Sequence, residues 1–163
     1  MYAVYTKMEE SPEQVDQPPP SVTIQGDADI QYDWLEEQAI AALSFLGKCN
    51  SEVSVNVVDD SSMSALHFKH SGVEGTTDVL TFDLGSDEDA VRADIAICVD
   101  VASREVELRE HSLNEELLLY LVHGMLHCCG FDDHDEESHK KIHEEEDRVL
   151  AGIGVGTLWS SDS

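Results

Sequence analysis

A helix that is apolar on every side cannot rest on a surface, and this chain contains one. Residues 112–129 read SLNEELLLYLVHGMLHCC. No charge interrupts the stretch from Leu117 to Val122, so the segment predicts a helix buried all round. Ser112 with Glu115 three positions on predicts a capping box at its start. Such a helix needs other elements to cover it, and the rest of the chain supplies them. Residues 32–47, YDWLEEQAIAALSFLG, repeat apolar positions at helical spacing, with Asp33 placed to cap the start and Gly47 the end. EVSVNVV alternates Val53, Val55 and Val57, the mark of a half-buried strand. SVTIQ at 21–25, TDVLTFDL and ADIAICVD read as further strands. DDSSMSALHFKH and VASREVELRE read as short helices, and DEESHKKIHEEEDRVLAGIG as a last acidic one ending near Gly152. The expected fold class is α/β (α+β): a single compact domain with a mixed sheet of about four strands covered by helices.

At 163 residues and 41% apolar, the chain has enough material for one core. All four prolines lie in the first twenty residues, in a polar, acidic stretch. Residues 1–20 therefore read as a flexible extension, 21–153 as the domain and 154–163 as a C-terminal tail. No run approaches the roughly 18 apolar residues that a membrane span requires. The first twenty residues lack the apolar run of a secretory signal, and a cytoplasmic location is the expectation. Cys49, Cys98, Cys128 and Cys129 show no paired framework and read as free thiols, the adjacent pair as small apolar residues in the last turn of the buried helix.

The buried helix ends in HGMLHCCGFDDH, residues 123–134. His123 and His127 stand four apart and share one helix face, so both rings can point at one ion. Gly130 can stop the helix in a left-handed conformation, and the chain can turn back with FDDH toward the same ion. Imidazole nitrogen and carboxylate oxygen are zinc donors, and a catalytic site uses three of them plus water. The third donor in this register is Asp133, with His134 one residue further as the alternative. A carboxylate there would reduce the positive charge of the site. HKKIH repeats the spacing at His139 and His143, but in a heavily charged helix with no glycine stop, and reads as a solvated face. Gly124 occupies the place where an HExxH metalloprotease carries its general base, which makes a metallopeptidase a remote reading.

These residues resemble the YbeY family of bacterial endoribonucleases, whose signature is close to HGxLHLxGYDH. The family's TDVLSFP has its counterpart in Thr77-Asp78-Val79-Leu80-Thr81-Phe82-Asp83, and its GDIxI in Ala93-Asp94-Ile95-Ala96-Ile97. The three blocks come in the family's order across roughly residues 21–153. The resemblance implies a compact domain with a mixed sheet and one metal ion per chain, usually zinc. It also implies hydrolysis of single-stranded RNA in rRNA processing, at the 16S 3′ end, and in ribosome assembly on the small subunit. By position, His123 and His127 are then metal ligands, and Asp133 stands where the family usually has a third histidine. The arginine that family members commonly carry before the TDVLSF block is absent. Lys69 in LHFKHSGVEGT is the nearest cation and the expected phosphate contact, and Asp132 is the expected proton acceptor. Asp78 and Asp94 read as strand-end hydrogen-bonding residues.

One property opposes this reading. The chain carries 35 acidic against 9 basic residues, a net charge of −26, and such a surface repels polyanions. RNA would approach where Lys69, Arg92, Arg104 or Arg109 gather, or through a basic partner protein. A non-catalytic assembly factor with a structural metal is the competing function, and a closed four-ligand site would mark it.

Overall fold

The structure, a computed structural model, describes residues 18–156 and Leu158. The N-terminal extension read at 1–20 lies outside the described residues except for its last three. Nine elements follow in chain order. They are β1 (Ser21–Gly26), α1 (Tyr32–Phe45), β2 (Glu52–Val58), α2 (Asp60–Ser71), β3 (Val79–Asp83), β4 (Arg92–Cys98), α3 (Val99–Val106), α4 (Leu113–Cys128) and α5 (Glu136–Gly152). They form one four-stranded sheet in the order β1-β2-β4-β3. β1 pairs with β2 and β2 with β4 in parallel, whereas β3 runs antiparallel to β4. The mixed sheet of four strands matches the expectation.

Strand alternation decides which face each residue serves. Val53, Val55 and Val57 of β2 and Ala93, Ile95 and Ile97 of β4 turn into the main core. There they meet α1 and α4, which pack on that face of the sheet. Ala96 and Cys98 point the other way and meet Met63 of α2 in a second, smaller cluster. α4 is covered as its composition demands: Leu117, Leu118, Leu121, Val122, Met125 and Leu126 are all 0% exposed. β3 and β4, α1, α3 and α5 surround it. Ser112 accepts from the Glu115 N–H while the Glu115 carboxylate accepts from the Ser112 N–H, the expected capping box.

Two expectations shift. α1 is capped at Gln31 without a side-chain bond, and Asp33 falls in its first turn, where a carboxylate faces the positive end of the helix. The helix read at VASREVELRE begins two residues earlier, at Val99, and ends at Val106. The Asp100 carboxylate accepts from the Asp60 N–H at 2.8 Å, tying the start of α3 to the start of α2.

Candidate metal centre

α4 ends in a Schellman turn. The Phe131 N–H donates to the Leu126 carbonyl and the Gly130 N–H to the His127 carbonyl. Gly130 sits at φ 103°, a conformation that glycine adopts without strain. The turn brings the Phe131 carbonyl 2.9 Å from His127 Nδ1. A carbonyl only accepts, so Nδ1 of His127 carries the proton and Nε2 presents its lone pair. His123 is held the same way, with Nδ1 2.5 Å from Glu146 Oε2. The two Nε2 atoms then face each other at 3.0 Å, with the rings near perpendicular. Two lone pairs at that distance repel unless a proton or a metal ion lies between them. Histidines that bind metals commonly donate the other ring N–H to a carboxylate or carbonyl, and both rings do so here. The residues present therefore fit a metal ion.

The same turn carries Asp133 toward the two rings. Asp133 Oδ2 lies 3.5 Å from His123 Nε2 and 3.9 Å from His127 Nε2. His123, His127 and Asp133 thus offer three ligand atoms all within 4.8 Å of one another. His134 is not part of this group; it is exposed, and its backbone N–H donates to Asp132 Oδ1 at 3.5 Å. Neither Cys128 nor Cys129 joins the group. Burial pushes the Cys128 thiol up to about 11, so it stays protonated at neutral pH.

Glu146 escaped the reading of the sequence. It lies on α5, is 0% exposed, and supports both histidine pairs. Its Oε2 accepts from His123 and its Oε1 from His143 Nδ1 at 2.9 Å. A signal for it existed. Ile142, Val149 and Leu150 mark the buried stripe of α5, and position 146 falls on that stripe, so a carboxylate there has to be partnered. The HKKIH pair is correspondingly no simple solvated face: His139 is exposed, but His143 is half-buried against Glu146. Burial works against a charge on His123, but the Glu146 carboxylate, with Asp133 and Asp78 behind it, carries its pKa above the ordinary histidine value.

His123 and Asp133 line two adjoining cavities. One, of ≈500 Å³, is shared with Asp78, Glu105, Arg109, Glu116, Tyr120, His139, His143 and Glu146 among others. The other, of ≈470 Å³, runs past His127 along β3. Gly124 shows why no general base follows His123. A Cβ at this position would lie 2.5 Å from Thr81 Oγ1 and 3.4 Å from Ile95 Cδ1. The helix lies so close to the sheet there that a side chain would have to displace the Thr81 hydroxyl.

The other expected residues are scattered. Lys69 is exposed on α2 and lines neither cavity, nor does Asp132 in the turn. The arginines do not gather, because carboxylates hold each of them. Arg92 pairs with Asp87 at 3.0 Å, and Arg104 holds both oxygens of Asp60 at 2.7 and 3.1 Å. Arg109 lies 3.2 Å from Glu105 and 3.5 Å from Glu116. Asp78 accepts from the Val79 N–H at 2.8 Å, the strand-end role expected of it, yet it also lines both cavities.

Three potential metal donors at the end of a buried helix, beside a cavity and a mixed sheet, define a single-domain α/β protein with a candidate metal site. Comparison with known proteins supplies the family. The sequence matches the family described as Endoribonuclease YbeY over residues 21–154, and the chain belongs to that family. It is 36% identical over 128 residues to the Endoribonuclease YbeY of Aquifex aeolicus, covering 76% of this chain and 85% of that one. It is 31% identical over 141 residues to that of Heliobacterium modesticaldum, covering 77% and 85%. The fold is shared with TM1509 of Thermotoga maritima, solved in solution. The TM-score is 0.53 at 22% identity, over 86% of this chain and 93% of that one.

Proposed function

We propose that the chain is a single-strand-specific, metal-dependent endoribonuclease acting in rRNA processing, at the 16S 3′ end, and in ribosome assembly in the cytoplasm. One zinc ion is held by His123, His127 and Asp133. The observation that carries this reading is the count of donors. Among the described residues the group has three members and no fourth, which leaves room for water or substrate, as catalytic zinc sites do. A structural metal in a non-catalytic assembly factor would favour a closed set of four. When bound, the ion supplies a Lewis acid toward a phosphoryl oxygen and lowers the pKa of a coordinated water.

The chain's own residues do the rest. Glu146 and the Phe131 carbonyl keep the protons of His123 and His127 on Nδ1, so that both Nε2 atoms stay available. A carboxylate accepts the proton of the attacking water or of the ribose 2′-hydroxyl. Asp132 is near in sequence, but Asp78 lines both cavities and is the better placed of the two. Lys69 meets a phosphate outside the cavity, as a point charge. A chain of net charge −26 binds free RNA weakly and only with divalent cations present, and is helped onto RNA by the small subunit or by a basic partner protein.

The test is cleavage of labelled RNA, offered as a single strand and as a duplex of the same sequence. Zinc-loaded protein is expected to cut only the single strand, and to lose that activity in chelator and in His127→Ala. Cleavage indifferent to both would place the activity elsewhere. Small-subunit binding without cleavage would favour the assembly-factor reading.

A further inference from the structure

We propose that His139 and His143 form a second site, for a divalent cation of the imidazole-binding class, across Glu146 from the first. The two histidine pairs are built alike. His139 and His143 bring their Nε2 atoms to 2.8 Å with rings at 88°, against 3.0 Å and 83° for His123 and His127. In each pair one ring donates its Nδ1 proton to Glu146 and turns an Nε2 lone pair toward its neighbour. That orienting bond to a carboxylate is the one metal-bound imidazoles use. Glu146 thus braces a ligand of each site with one of its two oxygens, and its burial at 0% exposure fixes both.

Position and charge argue in the same direction. His139 and His143 line the ≈500 Å³ cavity that His123 and Asp133 also line. Its other carboxylate walls are Asp78, Glu105, Glu116 and Glu146, with Arg109 as the permanent cation, and Arg109 is already engaged by Glu105 and Glu116. A phosphodiester entering that space meets a surplus of carboxylates. A cation on His139 and His143 offsets them, and two imidazole donors leave coordination positions for water or a phosphate oxygen. With two protein donors rather than three, this site holds its ion less tightly than the first. The chain needs no further protein ligand for it, and the site stands whatever reaction the first one serves. The competing explanation is a plain N–H···N hydrogen bond between His139 and His143.

Calorimetric titration of the metal-free full-length protein with zinc separates the two. Wild type is expected to show two binding events of different affinity. His139→Ala/His143→Ala should keep only the tighter one, and His123→Ala/His127→Ala only the weaker one. His139 is exposed and Glu146 keeps its bond to His123 when His143 is removed, so the first double variant should keep its fold, which the retained tight event and unchanged helical circular dichroism would report. A single event in wild type, untouched by His139→Ala/His143→Ala, overturns the proposal, and so does a weak event that survives that double variant. Loss of the tight event alone from wild type would count against the first centre and leave the second standing.

Discussion

Glu146→Gln is expected to weaken zinc binding at the first centre by about 10–100-fold, the range typical for loss of an orienting partner behind a metal-bound histidine. Glu146 accepts from His123 Nδ1 and His143 Nδ1 with separate oxygens. An amide has one oxygen, so glutamine satisfies one ring and presents its NH₂ to the N–H of the other. One buried donor is then left facing a donor, at a cost of about 1–3 kcal/mol. If that ring is His123, its Nδ1 proton loses its acceptor and Nε2 is no longer held as the ligand. The loss of the buried negative charge lowers the basicity of His123 as well. Competition against a chromogenic chelator measures the effect. An affinity within twofold of wild type would mean that Glu146 only fills space.

Gly124→Glu is expected to destabilise the protein strongly rather than turn it into a protease. The substitution writes HExxH, the sequence of a zinc peptidase, onto a helix that already carries both histidines. The Cβ alone would stand 2.5 Å from Thr81 Oγ1 and 3.4 Å from Ile95 Cδ1. Extra methylenes forced into a packed core cost about 1–3 kcal/mol, and an unpaired carboxylate pressed against the sheet adds several more. Against a total stability of about 5–15 kcal/mol, the sum approaches the whole. Thermal unfolding should fall by about 10 °C or more, since 1 kcal/mol moves a chain of this size by about 2–4 °C. A variant melting within about 3 °C of wild type would show that α4 does not lie as close to β3 and β4 as described.

The elements with a strong period were readable in advance. The Val53, Val55, Val57 alternation and the all-round apolar run of α4 each admit one structure, because each allows one way of hiding its apolar surface. The strand order was not readable. β3 turns antiparallel beside β4 through contacts between segments that no local pattern connects. The same divide runs through the site. His123, His127, Gly130 and the turn to Asp133 lie within eleven consecutive residues, so helix geometry alone brings them together. Glu146 sits in the run HEEED, which reads as solvent-facing until the apolar stripe of Ile142, Val149 and Leu150 is laid over it. Whether the arginines gather into a surface for RNA was not readable either, and their partners are carboxylates. Asp60, which claims Arg104, lies 44 positions away in the chain.

Zinc retained after exhaustive dialysis, measured by elemental analysis for wild type, Asp133→Ala and His134→Ala, tests the central claim most directly. The account predicts about one tightly held zinc per chain in wild type and in His134→Ala, and loss of it in Asp133→Ala. Loss in His134→Ala with retention in Asp133→Ala would contradict the centre described here.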